Sequence, residues 1–133
     1  HHFADLPAVI KELHRILEPG GVAVIEVANK RTLPKLFRYW FKKSKVNPFD
    51  KKPSNLKNID KDGFYNYHPA YVEDLFRKSG FEIDNILSVS NFRSQTMKKI
   101  FKTKALVALE KKLQKPLASL RFAPSIYYRL IKK

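Results

Sequence analysis

Residues 14–29 read HRILEPGGVAVIEVAN, and this stretch decides the fold class. Apolar side chains spaced three and four residues apart predict an amphipathic helix over 6–17, with Asp5 as its N-cap. The Pro-Gly-Gly turn at 19–21 ends that helix. The almost continuously apolar, β-branched run 22–28 then predicts a strand buried on both faces, as in a parallel sheet covered by helices. A helix, a tight turn and a buried strand in direct succession are typical of an α/β unit.

The rest of the chain continues this alternation. The pattern predicts a basic, aromatic helix over 33–43, an irregular stretch over 44–67, a helix from His68-Pro69 to its C′ glycine Gly80, a strand over 81–92, helices over 95–102 and 104–120, and a closing strand over 125–131. Pro116 is expected to break or kink the last of these helices. Strands alternating with helices favour the α/β class.

Length and composition set bounds on the class of protein. The 133 residues fit one domain, and 44% hydrophobic residues are enough for a core. No apolar run approaches the ~20 residues that cross a membrane. The absence of cysteine excludes disulfides and thiolate ligands, and it makes the cytoplasm the expected compartment. No metal-ligand spacing occurs, so no metal site is expected.

The chain is strongly basic, with 27 Lys and Arg against 12 Asp and Glu and a net charge of +15. Two interpretations stay open: a solvated lysine-rich surface, or a surface for an anionic partner such as RNA, DNA or an anionic membrane. The basic, aromatic helix at 33–43 admits three roles. These roles are contact with an anionic membrane, binding of an anionic acceptor, or coverage of a pocket.

Two segments resemble class I S-adenosylmethionine-dependent methyltransferases. ELHRILEPGG at 12–21, preceded by HHFAD at 1–5, matches the family segment that joins the fourth and fifth strands. HPAYVEDLFRKSGFEI at 68–83 is similar to the family helix that precedes the sixth strand. The resemblance implies a partial Rossmann-like sheet in one domain over 1–133, with strands equivalent to the fifth, sixth and seventh and the last one antiparallel. It makes 30–67 a substrate-side insertion.

The same resemblance implies the activity: methyl transfer from S-adenosylmethionine to an unidentified acceptor, expected to be a small molecule. The four glycines, Gly20, Gly21, Gly63 and Gly80, form no glycine-rich cofactor loop. The chain therefore looks like the C-terminal half of such a domain, and we expect it to be inactive alone and to bind the cofactor poorly or not at all. An incomplete sheet has an exposed edge that favours self-association, so the oligomeric state stays open.

Cofactor-side and strand-end candidates follow. By the resemblance, His1, His2 and Phe3 lie at the cofactor-side rim, with packing at a strand end as the alternative, and His1-His2 is expected to be native sequence rather than a tag. Asn29 follows the strand at the edge where open α/β sheets bind ligands, which makes it a substrate-binding candidate. Its alternatives are an Asx turn or a helix cap. Glu26 is a second candidate there, or a partner for a lysine.

An aromatic cluster closes the irregular stretch. The resemblance places Tyr65, Tyr67 and His68 beside the acceptor pocket as substrate-binding candidates. His68 is the catalytic candidate, because a histidine there would orient or deprotonate an acceptor hydroxyl. The alternatives are a helix cap for His68 and simple packing for the tyrosines. Methyl transfer depends mainly on positioning, which fits a chain without an obvious catalytic dyad.

Overall fold

The computed structural model of the protein describes residues 2–3, 5–44, 46–55, 64–92 and 95–133. In chain order the elements are α1 (Leu6–Ile16), β1 (Val22–Ala28), α2 (Leu33–Trp40), β2 (Ser54–Asn55), β3 (Tyr65–Asn66), α3 (Pro69–Lys78), β4 (Phe81–Val89), α4 (Gln95–Ile100), α5 (Thr103–Ala118) and β5 (Ser125–Lys132). The predicted α/β alternation is confirmed. The short strands β2 and β3 lie in the stretch predicted to be irregular, and α2 and β4 are each three residues shorter than predicted.

The main sheet has three strands in the order β1-β5-β4. The central strand β5 is antiparallel to both neighbours, so β1 and β4 run parallel to each other. The expectation that the last strand is antiparallel is therefore confirmed. Strands β2 and β3 form a separate antiparallel pair.

Helices α1 and α3 cover one face of this sheet. The buried core joins side chains from both helices to inward-facing residues of all three strands: Leu6, Ile10, Val27, Tyr67, Val72, Phe76, Phe81, Ile126, Tyr128 and Leu130. The strong alternation in β5 reflects this one-sided burial, because every second residue from Ile126 to Leu130 is buried.

The prediction that the strand at 22–28 is buried on both faces is wrong. Strand β1 lies at an edge of the sheet, and Val22 and Val24 are 43% and 66% exposed. Ala23, Ile25 and Val27 are turned to the core instead. The apolar run signals a strand, but two-sided burial requires helices on both faces, and α1 and α3 cover only one.

The helix starts follow the sequence pattern. The Asp5 side chain accepts a hydrogen bond from the Ala8 amide at 3.0 Å and caps α1. His68 caps α3, and Gly80 adopts a φ of +86° just beyond its end. Pro116 was expected to break or kink α5. The break is wrong, because α5 continues through Pro116 to Ala118, and the kink stays a prediction. A proline has no backbone N–H, so α5 continues through Pro116 without the hydrogen bond that another residue there would donate to the carbonyl of Lys112.

The Pro-Gly-Gly turn is tied to the end of β5. The Gly20 amide donates to the Lys132 carbonyl, and the Lys132 amide donates to the Gly21 carbonyl, both at 2.9 Å. The Lys132 ammonium also donates to the Leu17 carbonyl at 2.8 Å, at the C-terminus of α1. The join between α1 and β1 is thus held by the last strand. Among the described residues, no helix has the length and apolar character required to cross a membrane.

Candidate functional site

The carboxyl end of β1 gathers most of the predicted site residues. Asn29 and Tyr67 form a parallel bridge there. The Tyr67 amide donates to the Ala28 carbonyl and the Lys30 amide donates to the Tyr67 carbonyl, both at 2.9 Å. The segment around β3 therefore extends the outer edge of β1, and it brings the aromatic cluster beside the strand end.

The Asn29 side chain is 1% exposed and every polar atom of it is used within the chain. Its amide nitrogen donates to the carbonyls of Arg121 and Ala123 at 2.8 Å and of Arg31 at 3.1 Å. Its amide oxygen accepts from the Arg31 amide at 2.8 Å, which is the Asx turn that the sequence left open. These hydrogen bonds give Asn29 a structural role, because they fix the end of β1 to the backbone that precedes β5. Its contact with an acceptor stays a prediction.

Tyr67 lies at the centre of a stack of three tyrosines. Its ring is 6.4 Å from that of Tyr65 and 6.3 Å from that of Tyr71, both in stacked arrangements. Its hydroxyl donates to the Phe3 carbonyl at 2.6 Å. Burial, with smaller contributions from its neighbours, raises the pKa of Tyr67 to about 12. At neutral pH Tyr67 is therefore a hydrogen-bond donor and not a base.

The cofactor-side candidates meet this aromatic cluster. Phe3 is 56% exposed and is anchored through its carbonyl to Tyr67. The His2 ring makes an edge-to-face contact with Phe64, with centroids 6.0 Å apart. His1 lies outside the described residues. The structure thus brings His2 and Phe3 to the same edge as Tyr65 and Tyr67, although more than 60 residues separate Phe3 from Tyr67 in sequence.

His68 is the N-cap of α3, as the capping alternative predicted. Its Nδ1 accepts from the Ala70 amide at 3.2 Å. Burial first, and then the nearby charges of Arg31, Lys30 and Lys51, lower the pKa of His68. Because Nδ1 accepts this hydrogen bond, the neutral ring carries its proton on Nε2. Nε2 is therefore a hydrogen-bond donor. Its role as a catalytic base stays a prediction.

Glu26 forms no ion pair with a lysine in the part of the chain that the structure describes. It accepts a hydrogen bond from the Tyr127 hydroxyl at 2.9 Å on the exposed face of the sheet. That hydrogen bond raises the pKa of Tyr127. The lysine pairing considered for Glu26 is therefore replaced by a cross-strand tyrosine.

Two cavities flank the strand end. One of about 250 Å³ lies between α1 and the outer edge of β1, has a mainly apolar lining and includes Phe3 and Tyr67. The other, of about 210 Å³, is lined by Lys30, Lys35 and Arg38 together with polar side chains. These three basic residues were not among the predicted site residues. The available signal was charge: residues 27–49 contain seven Lys and Arg and no Asp or Glu.

Among the described residues, no group of three or more histidine and acidic side chains is arranged to hold a metal ion. A scan against models of known protein families finds no match to this chain, and a search of curated protein sequences finds none either.

Proposed function

We propose that these residues form the acceptor-side part of an S-adenosylmethionine-dependent methyltransferase that acts on a small molecule in the cytoplasm. The observation that carries the proposal is the sheet. An antiparallel final strand lies between two mutually parallel strands, and the ELHRILEPGG segment leads into the first of them. This is the combination of motif and strand direction that the resemblance implies.

Contact between the two motif segments adds support. The ring of His14, within the first segment, packs edge-to-face on Phe81 at the end of the second, with centroids 5.2 Å apart. Two segments that each resemble the same family are therefore in contact in this fold. Two of the predicted site residues, Asn29 and Tyr67, also lie just beyond the carboxyl end of β1, where ligands bind in open α/β sheets.

The residues present do not by themselves fit the cofactor. The cavity beside Phe3 holds about 250 Å³, at the small end for any whole ligand, and its lining is mainly apolar. Its one carboxylate, Glu26, already accepts from Tyr127. These residues include no glycine-rich loop whose backbone could approach the cofactor closely. We therefore derive no step of the reaction through S-adenosylmethionine.

The first prediction concerns cofactor binding. The natural gene product, expressed in full, is expected to bind S-adenosylhomocysteine with a micromolar Kd, measured by isothermal titration calorimetry. These 133 residues alone are expected to bind at least ~100-fold more weakly, because they hold no cofactor loop. Circular dichroism of both proteins establishes that each is folded. A folded full product that neither binds S-adenosylhomocysteine nor transfers a methyl group contradicts the proposed function.

A second candidate function is supported by the exposed face of α2. Leu33, Phe37, Trp40 and Phe41 share one side of the helix and are each more than half exposed. Basic side chains lie along the same stretch with no acidic residue from 27 to 49. Exposed aromatic residues among basic ones favour an anionic membrane surface over the nucleic-acid alternative, because nothing here resembles a base-stacking motif.

Trp40 is the only tryptophan, so its fluorescence reports this contact directly. Vesicles of phosphatidylcholine with phosphatidylglycerol are expected to shift its emission to the blue, and pure phosphatidylcholine is not. Phe41→Ser is expected to weaken binding about tenfold or more, because one buried aromatic ring is lost. Val24→Ser, an exposed apolar residue on β1, is the matched control. Equal losses in both variants, or no shift with either vesicle, exclude the membrane function.

A further inference from the structure

The basic cavity beyond the carboxyl end of β1 is a second feature that the methyltransferase resemblance does not explain. It has a volume of about 210 Å³ and lies among β1, α2, the loop that precedes β2, and β3. Its described polar lining is Lys30, Lys35, Arg38, Ser44, Ser54 and Asn66. The described lining residues include three basic side chains and no carboxylate, although the Asp50 carboxylate lies 3.9 Å from the Lys30 ammonium.

Lys30 is buried, with 3% of its side chain exposed. Its ammonium donates to the carbonyls of Asp50 at 3.0 Å and Lys52 at 2.8 Å. The Asp50 carboxylate, which is half exposed, is 3.9 Å away. Backbone carbonyls therefore fix the position of this charge, and one distant carboxylate offsets it only in part.

Lys35 lies on α2 and faces the same cavity. Its ammonium donates to the Asn29 carbonyl at 2.9 Å and to the Asn66 side-chain oxygen at 3.1 Å. An ammonium has three N–H donors, so these two bonds leave one for a ligand. Burial and the neighbouring charge of Lys30 lower the pKa of Lys35. The two ammonium groups thus repel each other in a partly desolvated space, and an anion between them would relieve that repulsion.

Arg38 supplies the third charge, one helical turn beyond Lys35. It takes part in none of the ion pairs found among the described residues. Its guanidinium offers a planar fork of N–H donors that suits phosphate oxygens. The hydroxyls of Ser44 and Ser54 add two more donors to the wall.

We propose that this cavity binds a phosphoryl group. Three cations and two hydroxyls match a dianion with several acceptor oxygens better than a singly charged carboxylate. The volume is below the ~300–1,000 Å³ that holds a whole drug-sized ligand, so it suits one charged group of a larger molecule. A methyl acceptor bearing a phosphate would present it here. That assignment to the acceptor rests on the proposed function, whereas phosphate binding itself does not.

The proposal is tested by using ³¹P NMR to measure the binding of inorganic phosphate and of phenyl phosphate to the 133-residue chain at low salt. Arg38→Gln and Lys35→Met are each expected to weaken binding ~10-fold or more, the value of one charge-assisted hydrogen bond. Lys43→Gln removes an exposed basic residue just beyond α2 and is expected to change the Kd less than twofold. Arg38 is exposed, so its variant separates ligand loss from misfolding if Lys35→Met unfolds.

Vesicles that contain phosphatidic acid, compared with phosphatidylglycerol at equal surface charge, separate a lipid phosphate from a soluble one. If either phosphate source binds, and if that binding is lost in Arg38→Gln and kept in Lys43→Gln, the result supports a phosphoryl site in the cavity. Equal losses in both variants would indicate that only the net charge attracts anions, and this would overturn the proposal. The absence of phosphate binding by the unaltered chain would overturn it as well. Because no cofactor is involved, this result is independent of S-adenosylhomocysteine binding.

Discussion

Asn29→Asp is expected to destabilise the fold by about 3–5 kcal/mol, a large part of the total stability of a small domain. The substitution keeps the shape of the side chain and removes its two N–H donors. The new carboxyl would face the carbonyls of Arg31, Arg121 and Ala123 at the distances where the amide nitrogen now donates. In a site that is 1% exposed, no water replaces the lost donors.

Urea unfolding followed by circular dichroism measures this loss. Asn29→Ala is expected to cost less, about 2–3 kcal/mol, because it leaves polar groups unpaired without adding repulsion. Asn47→Asp is the matched control. Asn47 is exposed and its oxygen accepts from the Phe49 amide, a bond that an aspartate keeps, so we expect a change within about 0.5 kcal/mol. Equal effects at positions 29 and 47 are incompatible with a structural role for Asn29.

Gly80→Ala is expected to cost about 2–4 kcal/mol, from two separate causes. Gly80 has a φ of +86°, where a Cβ is strained. A Cβ built there lies 2.7 Å from Nε2 of His14, whose ring is held against Phe81. The ring must move, and with it the contact between the two motif segments.

Gly20→Ala separates the two causes. Gly20 has a similar φ of +77°, and a Cβ there meets no atom within 4 Å, so only the backbone strain of about 1 kcal/mol is expected. In a His14→Ala background, Gly80→Ala is expected to cost as little as Gly20→Ala, because the clash is absent. The unaltered chain, His14→Ala, Gly80→Ala and the double variant form a double-mutant cycle, and thermal and urea unfolding measure the stability of each. A coupling near zero between positions 14 and 80 would show that a Cβ at position 80 does not clash with the His14 ring.

Short-range features of the fold were predictable from sequence. Asp5 and His68 cap helices as their positions indicate, and Gly80 ends α3 with the positive φ that only glycine adopts without strain. These features depend on hydrogen bonds over two to four residues, which spacing alone encodes. The direction of β5 was expected from the family resemblance. Its position between β1 and β4 was not, because strand order depends on contacts among distant segments.

The candidate site shows where such prediction stops. The sequence placed Asn29 at the end of a strand, and the resemblance placed Tyr67 beside an acceptor pocket; the structure pairs the two residues in a parallel bridge that was not predicted. It did not indicate that Asn29 would use all its polar atoms on backbone, in part on residues more than 90 positions away. It offered an anionic partner for the helix that contains Lys35, but it singled out neither Lys35 nor Lys30, because in a basic chain a lysine is distinguished from the others only by its burial.

The sequence pattern predicted the helices and the three longer strands, the caps and the turn at Glu18-Pro19-Gly20-Gly21, and the resemblance implied the direction of the last strand. The packing of the folded chain established three further features: β1 is covered on one face, the turn is hydrogen-bonded to Lys132, and three cations line one cavity. The physical reason is the range of the interactions. Helix and strand patterns repeat every few residues, whereas burial and charge clustering depend on segments that meet only when the chain folds.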